Sequence, residues 1–200
     1  MTRILLASAS ATRRALLAQA GIVAETNPPQ LDEEALKQVY LAEEPDISPA
    51  RMAMLLAQAK AVSVSNQNPA CVVIGGDQVL ALGQQRFDKP KSLDEARIQL
   101  QTLRGKTHHL ETAIACALDG EIVWSAIDRP ALAMRDFSDA FLEDYLRRLG
   151  LEVTQTVGGY KLEGLGLQLF STVEGDYFSI LGLPLLPLLA FLRSRNEIGT

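Results

Sequence analysis

The chain is poor in the residues that build metal and disulfide frameworks. It has two cysteines, Cys71 and Cys116, and two histidines, His108 and His109. Both cysteines lie in apolar runs, Cys71-Val72-Val73-Ile74 and Ala113-Ile114-Ala115-Cys116-Ala117, with no C-x-x-C or Cys/His cluster nearby. Buried free thiols are expected, not zinc or a disulfide scaffold. The adjacent histidines point to opposite faces of a strand and are assigned structural or edge roles. Basic residues are also in the minority, with 19 Lys and Arg against 24 Asp and Glu, a formal net charge of −5. That balance argues against duplex nucleic acid as a partner, which needs a broad basic face, yet a few focused cations in a cleft still suit a nucleotide. Long hydrophobic runs are lacking. The stretch Ile4 to Ala7 is too short for a signal peptide. The apolar segment Leu181 to Leu192 is too short for a bilayer and carries Pro184 and Pro187. No membrane association and a cytoplasmic location are the default expectations. There is no P-loop, and Gly158-Gly159 with Gly164-x-Gly166 does not form a dinucleotide fingerprint.

What is present is an ordinary globular composition. Two hundred residues, 48% hydrophobic, fit a single domain over 1–200, with two lobes around a cleft. Strands are expected at Ile4–Ala7, Val23–Thr26 and Val72–Gly76. Helices are expected at Arg14–Ala20, Ser48–Ser65, Ser92–Leu103 and Phe137–Leu149, with Ser92 and Glu95 at capping-box spacing. Asp119-Gly120 joins two long strands, Lys106–Leu118 and Glu121–Met134, as a hairpin. The C-terminal apolar segment reads as a core helix with Pro184 in its first turn. The fold class is α/β, and the long antiparallel strands argue for a mixed sheet over a plain doubly wound parallel one.

Chemistry concentrates at a few positions. Ser8-Ala9-Ser10-Ala11 are small residues after the first strand, and Arg13 and Arg14 occupy the first turn of the helix that follows. Cations there oppose the helix dipole. An anion would resolve the conflict, because free N–H groups, hydroxyls and guanidinium groups would converge on a phosphate. The alternative makes Ser10 or Thr12 an N-cap and leaves the arginines on the surface. Asp77 follows an apolar strand and two glycines, just past the strand end where α/β proteins bind ligands. Glu33 falls in an acidic loop after the second strand. Together the two carboxylates could hold a hard cation through oxygen and water, or one could be general base for a water. Taken singly, they also fit a turn residue and a solvated acidic patch. Lys60, late in the Ser48 helix, and Lys89, aimed by Pro90, suit phosphate oxygens; a helix C-terminal cation and a loop lysine are the plain alternatives.

The order of these motifs resembles the Maf family of nucleotide pyrophosphatases, also called septum-formation inhibitor-like proteins. Leu6-Ala7-Ser8-Ala9-Ser10-Ala11-Thr12-Arg13-Arg14-Ala15-Leu16-Leu17 is similar to the family signature. Asp32-Glu33, Ala57-Gln58-Ala59-Lys60-Ala61, Ile74-Gly75-Gly76-Asp77-Gln78-Val79, Asp88-Lys89-Pro90, Arg104-Gly105-Lys106-Thr107-His108, Gly164-Leu165-Gly166 and Val173-Glu174-Gly175-Asp176 through Gly182-Leu183-Pro184-Leu185 follow in family order. The resemblance implies an elongated mixed sheet with flanking helices, similar to inosine-triphosphate pyrophosphatases. It implies hydrolysis of nucleoside triphosphates to monophosphate and pyrophosphate with a divalent cation (Mg, Mn or Co). Asp77 would be the general base that activates water, Glu33 would support the metal or that water as a second catalytic carboxylate, and both would be metal ligands. Ser8, Arg13, Lys60 and Lys89, with Arg14 a weaker candidate, would bind the triphosphate. For the base, the family's dTTP- and UTP-selective branch carries Arg, Thr and Gln at the positions of Thr12, Gln78 and Glu163. The 7-methyl-GTP branch carries Trp, Gln and Glu, so two of three positions here match the latter. Thr12 lacks the flat surface that would stack on such a base. The resemblance leaves a homodimer open. It also leaves a reading as a division regulator acting by protein contact, which would not need Asp77 and Glu33.

Overall fold

A computed structural model describes residues 2–199. The elements run β1 (Arg3–Ala7), α1 (Ala11–Gln19), β2 (Ala24–Thr26), α2 (Glu33–Glu43), α3 (Pro49–Ser65), β3 (Cys71–Leu82), β4 (Gln85–Phe87), α4 (Leu93–Leu103), β5 (Thr107–Leu118), β6 (Glu121–Asp128), β7 (Ala131–Met134) and α5 (Asp139–Leu149). Short 3-10 segments follow at Gly150–Gln155, Val157–Gly159 and Leu165–Leu169, then β8 (Phe170–Glu174), α6 (Tyr177–Ile180) and α7 (Leu185–Ser194). The class is mixed α/β, as expected. The chain divides into two compact units, the first comprising residues up to Gln78, 111–128 and from Asp176 onward, the second 79–110 and 129–175. The division falls inside β3 and inside β5.

In the first unit β1 lies parallel to both β2 and β3, with Ile4 opposite Ala24 and Val72. Its side chains alternate: Ile4 and Leu6 join one buried cluster with Leu17, Ile74 and Leu188, whereas Leu5 and Ala7 join another with Val64 and Val73. Burial on both faces is what a central parallel strand demands, and it explains the unbroken apolar run. α3 is started by Ser48, whose hydroxyl accepts from Arg51 N at 3.2 Å, with Pro49 at the first helical position. The β5–β6 hairpin turns at Asp119 and Gly120, φ +51° and +82°, the paired left-handed residues a tight hairpin needs. Cys71 and Cys116 are buried free thiols, 4% and 0% exposed.

In the second unit β3 pairs antiparallel with β4, and β5 with β7, which pairs on with β8. The single strand expected over Glu121–Met134 is therefore two, parted at Arg129-Pro130: β6 pairs with residues 112–118 of β5 and β7 with 107–109. Proline has no N–H for a ladder, and Pro130 instead accepts from Leu110 N at 3.1 Å. His108 is fully buried, its Nε2 2.7 Å from Tyr160 Oη. Burial, then the neighbouring His109, pulls its pKa down to about 4. In α7, Pro184 stands at the N-cap and Pro187 takes the place in the first turn that was expected for Pro184. Among the described residues no helix is long and apolar enough to cross a membrane.

Candidate active site

Three charged side chains from three elements meet in the first unit. Lys60 Nζ lies 2.7 Å from Asp77 Oδ1 and 2.9 Å from Glu33 Oε2. Lys60 and Asp77 are buried, at 7% and 8% exposure, while the Glu33 side chain is 47% exposed. A glycine makes the meeting geometrically feasible. A Cβ added at Gly75 would stand 2.3 Å from Ala57 O and 2.7 Å from Ala61 N, so α3 rests directly on the β3 backbone and brings Lys60 onto Asp77.

Two positions differ from expectation. Asp77 is not past the end of a strand but inside a twelve-residue one, because Gly75 and Gly76 stay extended. Glu33 is not in a loop. It opens α2, where Asp32 caps the helix by accepting from Ala35 N at 3.0 Å, and Glu33 and Glu34 fill a first turn that favours anions.

A second cluster surrounds Arg13. Ser10 caps α1, its hydroxyl accepting from Arg13 N at 3.3 Å. The Arg13 side chain is held all the same: Nε donates to Gly182 O at 2.7 Å and Nη1 to Ser8 Oγ at 3.2 Å. Ser8 Oγ also accepts from Ser10 N at 3.2 Å. Gly76 and Gly182 make the room, since added Cβ atoms would stand 3.3 and 3.6 Å from Arg13 Nε. Burial lowers the Arg13 pKa from its ordinary value, opposed by Asp77 and Glu33, and an arginine so placed stays charged. Cap and half-buried, hydrogen-bonded cation therefore coexist, where the sequence set them as alternatives. Arg14 is exposed and forms no ion pair among the described residues. Thr12 is half-buried in α1.

Gln78 follows Asp77 but points to the other face of β3, as strand alternation requires. Its Nε2 donates to Thr112 Oγ1 at 2.8 Å and to Ser179 O at 3.0 Å, with Ile180 O at 3.2 Å. Thr112 Oγ1 itself donates to Ser179 O at 3.0 Å, so it can only accept from Gln78. The amide orientation is thus fixed by its surroundings, and Gln78 closes off the carbonyl end of α6. Asp176 caps the start of that helix, accepting from Ser179 N at 2.7 Å. The sequence assigns no role to Thr112 or Ser179 and carries Gly182 only within a family motif; the local signal for Ser179 is the Asp176-x-x-Ser179 cap spacing. Lys89 and Glu163 belong to the second unit, both exposed: Lys89 lies between β4 and α4, Glu163 just before the last 3-10 segment.

Among the described residues no group of three or more His, Cys, Asp and Glu could hold a metal. A closed protein cage is therefore not what this donor set offers. Two carboxylates fit a hard cation such as Mg²⁺, which keeps water and phosphate oxygens as its other ligands.

A family model described as Maf-like protein matches residues 3–195. The chain belongs to the Maf-like family. This Maf-like chain is 49% identical over 197 residues to a nucleoside triphosphate pyrophosphatase of Hyphomonas neptunium, covering 98% of each. It is 50% identical over 195 residues to a protein of the same name from Rhodospirillum rubrum, covering 98% of this chain and 96% of that one. It is also 46% identical over 196 residues to a 7-methyl-GTP pyrophosphatase of Brucella suis, covering 98% of each.

Proposed function

We propose that this Maf-like chain hydrolyses nucleoside triphosphates to monophosphate and pyrophosphate with a divalent metal, and that it prefers guanine-type bases, 7-methyl-GTP first, over dTTP and UTP. The coarse activity, a hydrolase acting on acid anhydrides, rests on family membership and on relatives so named along nearly their whole length. The observation that carries the mechanism is the Lys60 ammonium held between Asp77 and Glu33. A module that only bound triphosphate would gain nothing from two carboxylates beside its cations.

Attack on the α-phosphorus needs a deprotonated, aligned water and a stabilised leaving group. Asp77 takes the proton from the water as its oxygen bonds to phosphorus. The bond from the α-phosphorus to the bridging oxygen breaks, and pyrophosphate leaves with that electron pair. Lys60 and Arg13 offset the charge that develops, and the Ser8 hydroxyl, which accepts from Arg13, still has a proton to donate to phosphate. Asp77 and Glu33 would hold the metal, which would neutralise phosphate oxygens and make phosphorus more electrophilic. Lys89 enters the reading as a phosphate ligand, and Thr12, Gln78 and Glu163 as base selectors, from the family motifs alone. Two of those three residues match the 7-methyl-GTP branch. A carboxylate at Glu163 would accept from guanine N–H groups or offset the charge of a 7-methylated ring.

The test is pyrophosphate release from 7-methyl-GTP, GTP, dTTP and UTP with Mg²⁺, Mn²⁺ or Co²⁺ and with chelator. Metal-dependent turnover led by 7-methyl-GTP is expected. Full turnover in chelator removes the metal, and a lead by dTTP or UTP reverses the base preference.

A further inference from the structure

We propose that Lys60 is a built-in counter-ion that keeps divalent metal out of the nucleotide-free protein and yields the two carboxylates only when a triphosphate arrives. The inference rests on the metal-dependent reading above and adds an order of binding to it.

Three observations carry it. First, the ammonium occupies the space a cation would take: its Nζ is 2.7 Å from Asp77 Oδ1 and 2.9 Å from Glu33 Oε2, and the lysine is 7% exposed. Lysine is a compact point charge, and here it serves both carboxylates at once. Second, both carboxylates already have cationic partners. Asp77 and Glu33 face Lys60, and the Arg13 guanidinium acts electrostatically on both. Two nearby cations weaken the pull of Asp77 and Glu33 on a lone dication. A dication on the outer oxygens would also repel the ammonium across the same carboxylates. Third, α3 sits directly against β3 at Gly75, and Lys60 carries its ammonium on a flexible four-carbon stem that can turn it to a new partner.

A triphosphate changes this balance. Its oxygens offer the ammonium a new anionic partner, and Lys60 can turn to them without leaving α3. The oxygens it releases on Asp77 and Glu33 then face a cation that enters with the nucleotide. Metal and nucleotide binding become positively coupled, and the coupling is reciprocal. A serviceable consequence is that free metal does not occupy and rigidify the resting site.

The experiment titrates Mn²⁺ alone into the intact wild-type chain and into Lys60→Met, reading bound Mn²⁺ by electron paramagnetic resonance and melting temperature by calorimetry. Lys60→Met is expected to bind Mn²⁺ at least tenfold more tightly than wild type. Saturating Mn²⁺ should raise its melting temperature by about 5 °C while leaving wild type within about 1 °C. Lys60→Gln, which keeps a polar side chain without the charge, should behave as Lys60→Met does and stands in if the methionine variant does not fold. Adding Glu33→Gln to either variant should abolish the gain. Equal Mn²⁺ affinity in wild type and both variants would overturn the proposal while leaving metal dependence of turnover intact. Wild-type turnover undiminished by chelator would overturn the metal reading itself, and this proposal with it.

Discussion

At the scale of single residues, roles separate by what each side chain can still do. Asp77→Asn keeps shape and a hydrogen-bond acceptor for Lys60 but not basicity. Turnover should fall roughly 10²-fold or more with nucleotide binding retained, checked by single-turnover kinetics and calorimetry. Near-normal turnover in the folded variant would remove Asp77 as the base. Arg13 is gripped through Nε and Nη1 by Gly182 O and Ser8 Oγ, which an ammonium cannot reproduce. Arg13→Lys should therefore raise KM about tenfold although the charge is conserved, and unchanged KM would mark Arg13 as a purely structural clamp between α1 and the segment before α7. Glu163→Gln should narrow the preference for 7-methyl-GTP over dTTP by about 1–3 kcal/mol in kcat/KM, the scale of one charge-assisted hydrogen bond. An unchanged ranking would take Glu163 out of base selection.

At the scale of elements, the two glycines before Asp77 predict different outcomes. Gly75→Ala drives a Cβ into the α3 backbone, 2.3 Å from Ala57 O, so the helix must shift away from β3. It should destabilise by about 1–3 kcal/mol and lift Lys60 from Asp77, so denaturant midpoint and kcat fall together. Gly76→Ala brings a Cβ 3.3 Å from Arg13 Nε, with Ala113 O at an ordinary 3.5 Å, so the Arg13 side chain is what must give and KM should move more than stability. The same glycines show why the site was only partly legible in the sequence. Asp77, Lys60 and Glu33 stand out as charges beside apolar or acidic runs, but no spacing among 33, 60 and 77 states that one ammonium joins them. A glycine pair reads as a strand end. Here it marks close approach of a helix, and β3 runs on. α2 carried its cap signal at Asp32, yet none of its residues is buried, so its apolar period was too weak to read. Pro130 was an open signal that β6 and β7 are separate strands. Helices with polar caps and a clean apolar face, α3, α4 and α5, were legible almost to the residue, because cap chemistry is local. The Gln78 amide was not, since its acceptors come from β5 and α6, far away in the chain.

At the scale of the whole molecule, pH acts through a residue outside the proposed chemistry. His108 has a pKa near 4 in the folded chain, against an ordinary 6.5. Between those values the unfolded chain binds the extra proton, so this contribution is complete above about pH 6.5 and is lost as pH falls toward 4. The loss is about 3 kcal/mol at most. Melting temperatures from pH 7 to pH 4 should fall more steeply for wild type than for His108→Gln, and parallel curves would show that another group carries the acid sensitivity. The two thiols offer a different kind of readout. Cys71 and Cys116 are almost sealed from solvent, and burial pushes the Cys116 pKa up to about 12. Neither can be labelled at neutral pH until the chain opens, because reaction needs an accessible thiolate. Both lie in strands of the unit that carries Asp77 and Lys60, Cys71 at the start of β3 itself. The rate of thiol labelling is therefore a clock on the opening of that unit. A nucleotide that binds there should slow the clock, reporting occupancy even when no bond is cleaved.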